Sequence, residues 1–355
     1  MKYAAVVLRN IRNPFGSVDY SPVADALLSG GVFLEEVVLF SYENDTELPL
    51  MLKRLLRDYN GVFLICDRAL VPSAENALLS FGAEMNGCFG EAGETLVSVL
   101  PTGEEGVAAV KEGMSVIDAH RSNSYLSLVI RAVSVPHELL LSTLESARTA
   151  AGGALAVHSS EEYGCVRVEL IYDRQTPKMI ADEVLRIIAS GLKDYIYALE
   201  DVSMAQRLVE TLTLHRLKLA TAESFTGGGV GRAIVSVPGA SKVFYEGLNT
   251  YDSKAKAERL GVSEYTLMSK GAVSEEVAYE MAAGLIAQGH CSVAIATTGN
   301  AGPTAEKNKP VGLCYIAVGT KERVKVFRFQ FAGDRKQITE TAINFALFLA
   351  YKEIS

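Results

Sequence analysis

Apolar, largely β-branched runs alternate with stretches of helical periodicity from the first residues of the chain. Residues 2–8 (KYAAVVL), 32–40 (VFLEEVVLF) and 61–67 (GVFLICD) read as strands, with helical patterns between them at 23–31 and 48–59. The strand 95–101 (TLVSVLP) and the helical stretch 103–120 complete this first unit. Such alternation predicts a mostly parallel sheet covered by helices. From Leu126 the pattern changes to strand (126–133), helix (137–150), two strands (153–160 and 165–173) and one long helix over 177–198, which reads as a small α+β module.

A third pattern opens at Ser203, where Ser203-x-x-Gln206 has the form of a capping box. A helix (207–216), a strand (218–224), a glycine-led helix (227–237) and a strand (244–252) follow. The helix 253–260 should stop at Gly261, and Ser274 should cap the helix 275–288, whose Glu275 and Glu276 suit its positive end. Strands at 292–299, 312–320 and 323–331 precede a closing helix from Asp334. The expected architecture is α/β in three units, at 1–122, 123–200 and 201–355.

The chain has 355 residues, too many for one ordinary core. A formal charge of −8 argues against wholesale attraction to nucleic acid or anionic membrane. Charges or glycines break every apolar run before the roughly 20 residues that a membrane span needs. Cys66, Cys88, Cys165, Cys291 and Cys314 form no CxxC pair, and the first residues lack a signal-peptide pattern, so a cytoplasmic protein with reduced thiols is expected. His120, His137, His158, His215 and His290 show no HxH or HxxxH spacing, and no metal site is expected from them.

Chemistry concentrates at 221–231, where Ser224 stands between an apolar strand and a glycine-rich turn. Main-chain N–H groups at the following helix start are expected to face a phosphate or a developing oxyanion. Ser224 reads equally as a helix N-cap or as a nucleophile. Lys256 could serve as its base if burial or a nearby cation such as Arg335 lowered its pKa, with Tyr251 relaying a proton or orienting the amine; alternatively both are ordinary surface or packing groups. The glycines at 227–231 lack the third position of a dinucleotide fingerprint and the ending of a P-loop. A second glycine-rich stretch, 298–303, follows a strand and could close over a ligand or simply be a tight turn.

With these residues in view, the third unit resembles the C-terminal domain of the CinA family, the nicotinamide mononucleotide amidohydrolases. TAESFTGG (221–228), VPGAS (237–241), TYDSKAK (250–256), LGV (260–262), GAVSEEVA (271–278), TTGNAGP (297–303), KPVG (309–312) and AGDR (332–335) stand in family order. The resemblance implies hydrolysis of nicotinamide mononucleotide to nicotinic acid mononucleotide and ammonia, in pyridine-nucleotide salvage. It assigns Ser224 as nucleophile with Tyr251 and Lys256 as partners, and places Thr226, Gly227, Gly228, Asn300, Gly302 and Arg335 at the substrate. No cofactor is implied for this reaction. The stretch between 303 and 309 departs from the family, lacking an expected serine and paired glycines, and Phe225 replaces a usual Cys or Leu.

Residues 123–200 resemble the family's KH-like connecting module, without a GXXG loop, so no nucleic-acid partner is expected. The first unit resembles a divergent MoaB/MogA-like molybdopterin-binding fold. Residues 65–76 (ICDRALVPSAEN) stand where that family has a glycine-rich segment ending in paired aspartates, so an assembly role is expected there. A divalent metal would be needed only if this unit cleaved ADP-ribose. The family implies a homodimer with a small nucleotide as substrate. The competing readings are a metal-dependent pyrophosphatase in the first unit and a nucleotide-binding scaffold without turnover.

Overall fold

The structure, a computed structural model, describes residues 1–10, 19–42, 47–121, 125–304 and 309–355. The protein is α/β throughout. Compactness divides the chain into two units, one comprising Met1–Leu128, Arg148–Val157 and Glu169–Val184, the other Val129–Ala147, His158–Val168 and Leu185–Ser355. The boundary expected at 122 falls outside the described residues.

In the N-terminal region the elements run β1 (Tyr3–Asn10), α1 (Ser21–Ser29), β2 (Leu34–Tyr42), α2 (Glu47–Asp58), β3 (Gly61–Cys66), α3 (Val71–Leu79), β4 (Glu84–Asn86), β5 (Phe89–Ala92), β6 (Thr95–Pro101) and α4 (Glu104–His120). They build a sheet of order β2-β1-β3-β6-β5-β4 in which β2, β1, β3 and β6 are parallel and β5 and β4 run antiparallel at one edge. The period of two along β1 explains the layering. Ala4, Val6 and Leu8 pack with Leu52, Leu55 and Leu78 of α2 and α3, while Tyr3, Ala5 and Val7 pack with Leu27 and Val110 of α1 and α4. A strand buried on both faces reads as a continuous apolar run, as this one does.

The middle of the chain forms β7 (Tyr125–Val133), α5 (His137–Ala151), β8 (Leu155–Glu162), β9 (Cys165–Asp173), α6 (Lys178–Gly191) and β10 (Ile196–Ala198), with strand order β10-β7-β9-β8. The single helix expected over 177–198 ends at Gly191. Residues Ile196–Ala198 instead pair antiparallel with β7, where Tyr197 and Ala198 are buried.

The C-terminal elements are α7 (Met204–Leu214), β11 (Leu219–Glu223), α8 (Gly229–Val235), β12 (Phe244–Asn249), α9 (Ser253–Leu260), α10 (Glu264–Lys270), α11 (Glu275–Ala287), β13 (Val293–Gly299), β14 (Leu313–Thr320), β15 (Val324–Gln330) and α12 (Arg335–Ile354). The sheet order is β12-β11-β13-β14-β15, parallel across the first three strands and antiparallel across the last two pairs. Leu219 of β11, which lies between β12 and β13, faces Leu208, Ile234 and Leu347 of α7, α8 and α12; Ala220 and Ala222 face Leu260, Val277 and Met281 of α9 and α11. The capping box expected at Ser203 is only half formed. Ser203 accepts from the Gln206 N–H, but the Gln206 amide donates to Glu210 instead. A complete capping box sits at Asp334 and Gln337.

Candidate active site

The carboxyl ends of the three parallel strands β11, β12 and β13 meet at one place, where open α/β sheets bind ligands. Ser224 follows β11 directly, and its N–H donates to the Thr297 carbonyl of β13 at 3.0 Å. The chain then turns through Gly227 (φ 61°) and Gly228 (φ 89°), left-handed conformations that a Cβ would strain, before α8 begins. This turn leaves Ser224 8% exposed. A side chain so placed is nearly buried and has little freedom.

Lys256 meets it. Although it lies in a helix whose sequence is mostly polar, Lys256 is 1% exposed, and its Nζ donates to Ser224 Oγ at 3.0 Å, the Thr250 carbonyl at 2.7 Å and the Tyr251 carbonyl at 3.0 Å. Burial pushes its pKa down from 10.5 to about 8, against the opposing influence of the Asp252 carboxylate. Arg335 is not among the causes of this shift, so the cation considered as an alternative to burial is not what lowers it. Hydrogen-bond valence then fixes the geometry of the neutral amine. It has two N–H groups and one lone pair; the two carbonyls can only accept, so both N–H groups go to them and the lone pair faces Ser224.

Tyr251 contributes its main chain to this arrangement rather than its phenol. The ring is 64% exposed, and its hydroxyl accepts from Arg335 Nη2 at 3.3 Å. Arg335 opens α12, and its Nη1 donates to the Gly302 carbonyl at 2.5 Å, joining α12 to the loop after β13. Asn300 organises that loop. Its amide donates to the carbonyls of Thr304 and Lys309, both at 3.0 Å, and its Oδ1 accepts from the Gly302 N–H at 2.9 Å. With its side chain engaged in this way, Asn300 holds the loop after β13 together. Of the stretch that departs from the family, residues 305–308 lie outside the described residues.

The start of α8 is not open to an outside anion, contrary to the sequence expectation. The Glu223 carboxylate occupies it, accepting from the N–H groups of Val230 at 3.0 Å and Gly231 at 2.8 Å. Thr226 is spent in the same place, its hydroxyl 2.7 Å from Glu223 Oε2 and 2.7 Å from Thr297 Oγ1. An acid of the chain itself therefore satisfies the helix start.

Residues 201–354 match the family described as the CinA C-terminal domain. The C-terminal domain belongs to the CinA family. A putative competence-damage inducible protein of Caldicellulosiruptor saccharolyticus is 46% identical over 183 residues, 51% of this chain and 44% of that protein. A CinA-like protein of Kosmotoga olearia is 43% identical over 161 residues, 45% of this chain and 39% of that one. The chain thus spans less than half the length of these curated relatives. The crystal structure of competence/damage inducible protein CihA from Agrobacterium tumefaciens shares 34% identity, covering 41% of this chain and 90% of that chain with a TM-score of 0.40.

Ser224, Lys256, Tyr251 and Arg335 of the CinA domain, all legible as candidates in the sequence, form one connected group. Glu223, Thr250 and Thr297 join them without having been candidates in the sequence. Glu223 carried a legible signal, an acid just ahead of a glycine-led helix start. Thr250 acts through its main-chain carbonyl, which leaves no mark in sequence, and Thr297 through its carbonyl as well as its hydroxyl. Among the described residues of the chain, no helix is long and apolar enough to cross a membrane, and no group of three His, Cys, Asp or Glu side chains is placed to hold a metal ion.

Proposed function

We propose that the CinA domain is a serine amidohydrolase that converts nicotinamide mononucleotide to nicotinic acid mononucleotide and ammonia. The observation that carries this reading is the 3.0 Å contact between Lys256 Nζ and Ser224 Oγ, with the amine buried and its pKa near 8. At pH 7.5 roughly a quarter of such an amine is neutral, against about a thousandth at its ordinary value. Neutral Lys256 takes the Ser224 proton as Oγ attacks the carboxamide carbon, and main-chain N–H groups of the turn after Ser224 hold the oxyanion. The C–N bond then breaks, and Lys256 returns the proton to the leaving nitrogen, releasing ammonia and an ester on Ser224. Water, deprotonated by Lys256, hydrolyses that ester and frees the acid. Arg335, exposed beside Tyr251, supplies a cation suited to the substrate phosphate.

Purified protein is expected to release ammonia and nicotinic acid mononucleotide in equal amounts from nicotinamide mononucleotide, and added hydroxylamine to divert part of the product to the hydroxamate. Absence of ammonia release would remove the reading. No catalytic step is assigned to the N-terminal sheet.

A further inference from the structure

We infer that Glu223 is a positioning residue that sets Ser224 and Lys256 against each other, an inference that rests on the amidohydrolase reading above. Glu223 is 1% exposed, and its carboxylate accepts four hydrogen bonds: Thr226 Oγ1 at 2.7 Å and Val230 N at 3.0 Å on Oε2, Gly231 N at 2.8 Å and Thr221 Oγ1 at 3.3 Å on Oε1. Two of these donors are main-chain N–H groups that cannot accept, so the site is built for an acceptor on both oxygens. The alternation of β11 explains the placement. Leu219, Thr221 and Glu223 face α8, while Ala220 and Ala222 face α9 and α11, the side on which Lys256 lies.

Two paths lead from this one residue to the reacting pair. Through its side chain, Glu223 fixes both ends of the turn 224–229, because Thr226 inside the turn and the first residues of α8 beyond it converge on one carboxylate. Thr226 also meets Thr297, whose carbonyl takes the Ser224 N–H. Through its main chain, the Glu223 carbonyl accepts from the Thr250 N–H at 2.8 Å, and the Thr250 carbonyl in turn accepts from Lys256 Nζ. Nucleophile and base are therefore both referenced to residue 223. The same contacts direct any substrate anion away from α8, whose leading N–H groups are already filled.

The test compares Glu223→Gln and Glu223→Asp with wild type, per folded molecule as counted by circular dichroism. In Glu223→Gln an NH2 group must face N–H donors, and the turn must shift to relieve that. The expected result is a fall in kcat of about ten- to a hundredfold with KM changed by less than about threefold, and partial recovery in Glu223→Asp. An activity-independent readout is the rate at which phenylmethanesulfonyl fluoride labels Ser224, which should fall in parallel. Thr226→Val, which removes one of the four donors and keeps the carboxylate, should move both readouts the same way by a smaller factor. Wild-type kcat and wild-type labelling per folded molecule in Glu223→Gln would overturn the inference. Slowed labelling in a protein that releases no ammonia from nicotinamide mononucleotide would sustain the positioning role while removing the substrate assignment.

Discussion

Ser224→Ala is expected to lower ammonia release from nicotinamide mononucleotide by about 10⁴-fold or more while leaving substrate affinity within a few-fold of wild type. The methyl group fills nearly the same space as the hydroxymethyl, and the turn is held by contacts other than Oγ, namely the Ser224 N–H to Thr297 and the Glu223 carboxylate to α8. The loss should therefore appear in kcat. Isothermal titration with the substrate, made practical by the absence of turnover, checks the affinity. If Ser224→Ala retained turnover, the hydroxyl would be a cap or a pocket group and the covalent route would fail.

Lys256→Met is the second large effect, with kcat expected to fall about 10³-fold. Methionine keeps the aliphatic stem and removes the amine. Lys256→Arg should not rescue, since a guanidinium stays protonated at any usable pH and offers no lone pair to Ser224. The same substitution should change stability in a pH-dependent way. With the folded pKa near 8 and the ordinary value at 10.5, the unfolded chain binds the extra proton between those limits, so wild-type stability rises with pH across that window. Below about pH 8 both states are protonated and the cost of burying the ammonium stands in full, on the order of 3 kcal/mol at 1.36 kcal/mol per pKa unit. Thermal melts should show this slope between pH 8 and 10.5 in wild type and its loss in Lys256→Met. The methionine variant also leaves the Thr250 and Tyr251 carbonyls without their donor, which offsets part of the relief.

The layered architecture was legible because it rests on periodicity. Runs such as 62–66 and 293–296 are apolar throughout since their strands are buried on both faces, and the covering helices carry their own stripe. Short pieces were lost. The hairpin of β4 and β5, three and four residues long, offers too few alternations to register, and β10 was absorbed into the preceding helix because KDYIYA has no breaker after Gly191. At the site, Ser224 stood out by its place between strand and glycines. The burial of Lys256 did not, because SKAKAERL reads as a solvated helix; what receives its amine is a pair of carbonyls just after the preceding strand. Tyr251 was read through its phenol, whereas its carbonyl is the group that reaches the amine. Side-chain motifs show in sequence, and main-chain acceptors do not.

The pH dependence of kcat/KM for nicotinamide mononucleotide tests most directly whether neutral Lys256 activates Ser224. The proton to be lost is that of the free enzyme's ammonium, so the rate should rise with pH, pass a midpoint near 8 and then level off. A profile flat from pH 6 to 9, or one that falls across that range, would contradict the account.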